Sequence, residues 1–209
     1  MKDKLKIKKA FQKYIPEEYC DYVVELFYAA PVHFKVSKPR KTKLGDYRCP
    51  RTEHDVHRIS VNANLNKYAF LITTLHEFAH MNTFIKHGNK VAPHGIEWKT
   101  EFKKLLQPLL GSESFPTSLK QVLSKNIQHI KASSYSDLPL LRALKKFDIN
   151  TEKVYLEQLP NHTCFVLNGK RFQRGELRRT RFLCTELITK KQYLVHRMAE
   201  VELLEKNEE

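Results

Sequence analysis

Apolar positions along this 209-residue chain change period twice, and the changes divide it into three stretches. Lysines alternate with Leu5, Ile7 and Phe11 over residues 3–13, predicting a short basic helix or arm. After Pro16, Tyr19, Val23, Leu26 and Phe27 recur at helical spacing, predicting a core helix that ends near Pro31. Proline in the first turn and the acids Glu17 and Glu18 suit its start. Residues 32–36 and 57–61 alternate apolar with polar, residues 43–48 follow a basic turn, and all three read as strands around a loop at 49–55. Residues 68–86 then form a long helix capped by Asn64 or Asn66 and stopped at Gly88. Trp98, Phe102, Leu105 and Leu106 stripe a second helix starting near Gly95 and Ile96, and Pro108, Gly111 and Pro116 punctuate the end of this core.

Beyond it, Leu119, Val122, Leu123, Ile127 and Ile130 predict one amphipathic helix and residues 138–147 another. Packing on the core and service as a connector both fit them. From Lys153 the period becomes two. Residues 154–157, 163–167, 181–184 and 193–196 read as four short strands, with Asn168-Gly169 as a hairpin turn and 198–205 as a further strand or short helix. The expected class is α+β: a small antiparallel sheet packed on helices over 1–110, a helical connector over 111–150, and a small antiparallel β module over 151–209.

The long helix carries the chemistry. His76-Glu77-Phe78-Ala79-His80 is an H-E-x-x-H sequence. Residues four apart share a helix face, so the two imidazoles can reach one cation, while Glu77, turned part of the way round, can reach a water without ligating. A tetrahedral ion needs a third protein ligand, and His94 in Ala92-Pro93-His94-Gly95 is the natural candidate. Shuffling this composition yields the pentapeptide about 4% of the time, so its surroundings matter. Leu71, Ile72, Leu75, Phe78 and Ala79 predict a buried face, where histidines beside a glutamate are costly without a cation. His33, His54 and His57 are isolated and read as surface or satisfied core histidines.

Charge changes the picture next. The formal net charge of +14 favours a polyanionic partner. Lysines crowd residues 2–13, arginines crowd 170–181, and acids close the chain. Lys170, Arg171, Arg174, Arg178, Arg179 and Arg181, set around Phe172 and Leu177, predict a hairpin whose cations contact phosphates while Phe172 stacks on a splayed base. The bland alternative is a solvated strand face. No apolar run approaches membrane-spanning length, no secretory signal follows the basic N-terminus, and Cys20, Cys49, Cys164 and Cys184 have no C-x-x-C spacing. A reducing cytoplasm is the expected compartment, with association to the nucleoid as an option within it.

The run from His76 to Lys99, HEFAHMNTFIKHGNKVAPHGIEWK, closely resembles the SprT-like family, whose pattern is H-E-x-x-H, a loop, then H-G-x-x-W or H-G-x-x-F. Thr42-Lys43-Leu44-Gly45-Asp46-Tyr47 and residues 57–62 extend the resemblance less specifically. It implies a zincin-type metallopeptidase core with one Zn2+ per chain on His76, His80 and His94 and Glu77 as catalytic acid/base. Relatives of the Spartan type cleave proteins crosslinked to DNA, so the implied partners are nucleic acid (single-stranded or junction-containing DNA) and DNA-bound proteins. Zincins pair extended substrate with the strand nearest the active-site helix, here expected to be residues 43–48. Tyr68 and Tyr135 are candidate oxyanion donors. The chain departs from the pattern at its C-terminus, where Cys164 and Cys184 are too few for a zinc ribbon, leaving a metal-free descendant of it. Two competing readings stand: a nucleic-acid-binding or transcription-associated protein with a structural zinc, and a peptidase indifferent to DNA.

Overall fold

In a computed structural model, residues 2–40, 43–126, 137–149 and 154–204 are described. Thr42, Ile127, Ile130, Tyr135 and Lys153 lie outside them. The chain divides into two compact units, Met1–Ile149 and Asn150–Glu209.

The first unit opens with α1 (Lys2–Phe11), which buries Phe11, packs Ile7 against the core, and ion-pairs through Lys4–Glu25 (2.9 Å) and Lys8–Asp21 (2.7 Å) to the next helix. That helix, α2 (Cys20–Tyr28), buries Val23 and Val24, and Cys20 behaves as a small apolar residue whose thiol donates to the Pro16 carbonyl. Three strands follow: β1 (Val32–Ser37), β2 (Gly45–Arg48) and β3 (His57–Asn62), in the order β1-β3-β2. The expected all-antiparallel sheet is corrected here. β3 enters between its two predecessors, antiparallel to β2 and parallel to β1. Alternation reveals strands, but their order depends on long-range pairing that periodicity does not encode. β2 lies at the sheet edge, as expected for residues 43–48.

One sheet face carries Phe34, Val36, Ile59 and Val61 into the core, and the other carries the exposed His33, Lys35, Arg48 and Arg58. Against the apolar face lies α3 (Lys67–His87), in contact with β2 and β3. The Asn66 side chain accepts a bond from the Ala69 N–H (2.9 Å) at its start, and Gly88 closes it at φ +60. Twelve of its residues are buried, so this helix is wrapped on all sides and forms the axis of the unit.

α4 (Ile96–Gly111) packs Trp98, Phe102, Leu105, Leu106 and Leu109 onto α3, each worth about 1.5–3 kcal/mol of burial. It runs through Pro108, because a proline in the last turn forfeits only one helical bond. α5 (Thr117–Asn126) and α6 (Leu138–Lys145) contribute Leu119, Leu123, Leu140, Ala143 and Leu144 to the same core. Among the described residues, no helix is long and apolar enough to cross a membrane.

The second unit is a six-stranded sheet in the order β4-β9-β5-β6-β7-β8. Its strands are β4 (Val154–Tyr155), β5 (Cys164–Leu167), β6 (Lys170–Arg178), β7 (Arg181–Glu186), β8 (Gln192–His196) and β9 (Glu200–Leu203). All described pairings are antiparallel. The turn between β5 and β6 has Asn168 at φ 52 and Gly169 at φ 74, the doubly positive geometry that Asn-Gly favours. Leu156, Phe165, Phe172, Phe182, Cys184 and Val195 fill its separate core.

Candidate metal centre

Helix α3 places His76 and His80 one turn apart on the side that meets α4, and the turn before α4 supplies His94. That turn is closed by Gly95 N–H donating to the Ala92 carbonyl (2.9 Å) and holds His94 at φ +60. A non-glycine residue in this region costs roughly 1–2 kcal/mol, a cost that the surrounding fold sustains. The three Nε2 atoms converge: His76–His80 3.2 Å, His80–His94 3.0 Å and His76–His94 3.3 Å. Nitrogens bound tetrahedrally to zinc at its usual bond length stand about 3.3 Å apart, so the triad matches that spacing to within a few tenths of an ångström. Hydrogen bonds do not explain it. Each Nε2 presents a single in-plane site, and three such sites facing one point have room for one proton at most. Among the described residues this is the one group of three or more side chains placed to hold a cation.

The setting keeps the lone pairs available. Burial, with the neighbouring imidazoles, holds His76 well below its ordinary range and His80 at about 4, and burial lowers His94 as well. Trp98, fully buried, touches all three rings at centroid distances of 4.7, 5.3 and 4.7 Å and so walls the site. On the sheet side the Tyr47 ring lies parallel to His80, and its hydroxyl pairs with His57 Nδ1 at 2.9 Å. His57 is thus a satisfied core histidine, whereas His33 and His54 are exposed.

Glu77 is 5% exposed and points the other way round the helix, toward β2. Burial raises its pKa from 4.5 to about 8, Asp46 adds to the rise, and Arg40 and Lys43 oppose it. Arg40 is itself fixed by bonds to Asn62 Oδ1 (2.7 Å) and Ser60 Oγ (3.0 Å). Two contributors escape sequence reasoning. Trp98 reads there only as a core anchor, and Gly45 shows nothing beyond a weak motif position. Tyr68, a candidate oxyanion donor, is instead packed on Phe115 and Phe147.

The basic hairpin is only partly as expected. Arg178 and Arg181 pair across its tip, Arg179 sits in the turn at φ 58, and all three are exposed, as are Lys170 and Arg171. Lys170 ion-pairs with Glu186 at 3.4 Å. Arg174 lies over the Phe182 ring, 3.8 Å from its centroid, and bonds Asn161. Phe172 corrects the stacking expectation: it is 6% exposed and packed between Phe165 and Tyr193, because its strand position faces the core. Phe172→Ala should therefore cost about 3–5 kcal/mol of stability, read as an earlier melting transition. A variant that folds normally and loses only nucleic-acid affinity would contradict this placement. Tyr193, 40% exposed, is the accessible aromatic nearby. No second group of three possible metal ligands occurs among the described residues, and all four cysteines are free.

The model of the SprT-like family matches residues 13–121, just over half of the chain. That span contains the sheet, α3, the His94 turn and α4. No curated protein and no solved structure matches the chain.

Proposed function

The chain belongs to the SprT-like family, which brings metallopeptidase-type chemistry, and we propose that it is a zinc-dependent endopeptidase of the zincin type acting on proteins bound or crosslinked to nucleic acid. The observation that carries this reading is the convergence of three neutral imidazoles within 3.0–3.3 Å of one another, one residue from a buried carboxyl group. His76, His80 and His94 would hold the ion. Zinc held by three neutral ligands keeps its full double charge, and so supplies Lewis acidity toward a water and a peptide carbonyl.

The chain's own residues do the rest. Glu77 takes the proton of the attacking water and returns it to the leaving nitrogen, the role of a positioned general base that then acts as general acid. Arg40 and Lys43 favour its carboxylate form at the start. Trp98 and Phe102 exclude water from the inner side of the triad. Strand β2 pairs with β3 along one edge, and an extended peptide adding to its other edge would run past Glu77. A carboxylate at position 77 has no use in a purely structural zinc site, which favours the enzyme over the structural alternative.

Partners follow from charge. The exposed Arg178, Arg179 and Arg181 at the hairpin tip support contact with phosphates, and single-stranded DNA is the proposed ligand. Four free cysteines suit a reducing cytoplasmic site of action. Metal analysis, with cleavage of fluorophore-labelled casein measured with and without single-stranded DNA, tests the reading. About one zinc per chain and cleavage abolished by a chelator are expected. Bound zinc with no cleavage under any nucleic acid would favour the structural alternative.

The triple variant Arg178→Ala, Arg179→Ala, Arg181→Ala should reduce the slope of log affinity against log salt by about 2, at roughly 0.7 for each phosphate no longer neutralised. An unchanged slope would move the nucleic-acid interface elsewhere.

A further inference from the structure

Gly45 sits inside β2, opposite Val61, where a glycine weakens a strand and no turn requires one. Its φ is not positive, so backbone conformation does not demand it. Its neighbour does. A Cβ at position 45 would overlap the Glu77 side chain, lying 2.8 Å from Cδ and Cγ and closer still to Oε1, and those are its three nearest atoms. From this we infer that Gly45 is a positioning residue: the side chain it lacks is the space that the Glu77 carboxylate occupies against β2. The inference rests on the peptidase reading of Glu77.

The strand cannot easily yield to make room. Asp46 is held by Lys43 (2.7 Å) and Arg48 (3.0 Å), the Tyr47 hydroxyl is bonded to His57, and the Leu44 carbonyl accepts the Asn62 N–H at 2.9 Å. The overlapping atoms, by contrast, are the far end of a flexible side chain. An added methyl group therefore displaces the carboxylate and leaves the sheet in register. Residues 45 and 47 share the face toward α3, so the methyl does not project from the β2 edge where a peptide would pair. Substrate affinity is then spared while proton transfer is not, and a misplacement of about 1 Å costs about 100-fold in rate.

The experiment compares Gly45→Ala with Glu77→Gln in zinc-loaded full-length chain, using labelled casein with single-stranded DNA, and adds a stability cycle on metal-free protein. Gly45→Ala should keep one zinc per chain, keep KM within about twofold and lower kcat about 100-fold. In the metal-free cycle, Gly45→Ala should lower the melting temperature when Glu77 is present and hold or raise it in a Glu77→Ala background, since the three atoms nearest the added Cβ all belong to Glu77. Wild-type kcat in Gly45→Ala beside inactive Glu77→Gln overturns the inference on its own. So does a melting shift that is the same in both backgrounds. Wild-type kcat in Glu77→Gln overturns the peptidase reading and takes this inference with it.

Discussion

Glu77→Gln should retain zinc and cleave casein between about 10²- and 10⁴-fold more slowly than wild type, the range that a positioned general base contributes. Glutamine keeps the shape of the buried side chain, so packing against Gly45 survives, but it cannot take a proton. The same substitution has a second signature that needs neither metal nor substrate. In the metal-free protein Glu77 has its pKa raised from 4.5 to about 8, chiefly by burial. Between those values the folded chain keeps a proton that the unfolded chain has released, so stability falls as pH rises.

The histidines act with the opposite sign. His80, lowered from 6.5 to about 4, makes the folded chain bind fewer protons in that range, so its contribution to stability rises with pH up to about 6.5. The two effects overlap below pH 6.5, and Glu77 dominates above it. Metal-free wild type should therefore lose about 2 kcal/mol between pH 6.5 and 8, while Glu77→Gln stays nearly level. Urea unfolding followed by fluorescence reads this in the first unit, because the chain's single tryptophan, Trp98, is buried there. Parallel pH profiles for the two proteins would mean that the carboxyl group is not buried in its neutral form.

What the sequence reveals of this fold and site, and what it hides, divides by the range of the interaction. Asn66, Gly88 and the Asn168-Gly169 turn act within four residues, and their roles follow from local chemistry. His76 and His80 meet through helix periodicity alone, and His94 joins them across a short loop between two legible helices. The stacking role expected of Phe172 fails because a hairpin rich in arginine shows no apolar alternation strong enough to tell which face is buried. The partners that bury Phe172 are Phe165 on β5 and Tyr193 on β8. Gly45 is illegible for a sharper reason: its significance is an absent atom, visible only once Glu77, 32 positions on, occupies the space. The parallel pairing of β1 with β3 likewise depends on which strand enters the middle of the sheet.

His94→Gly should separate two quantities that usually move together. Zinc affinity should fall by more than about 100-fold, since losing even an outer-shell partner of a ligand costs up to that much and position 94 would supply one of three ligand atoms. Stability of the metal-free chain should rise or hold, because glycine adopts φ +60 without the roughly 1–2 kcal/mol that a side chain costs there. Removing His94 also removes one of three crowded imidazoles, relieving a part-buried contact with His80 and His76 that no hydrogen-bond arrangement fully satisfies. Chelator competition gives the affinity, and melting of zinc-free protein gives the stability. His33→Ala, on the exposed face of β1, serves as the control and should alter neither. Opposite signs in the two measurements are the mark of a residue kept in a strained turn for ligation rather than for the fold. Zinc affinity within threefold of wild type in His94→Gly would place the third ligand elsewhere, and the convergence of the three nitrogens would lose its chemical meaning.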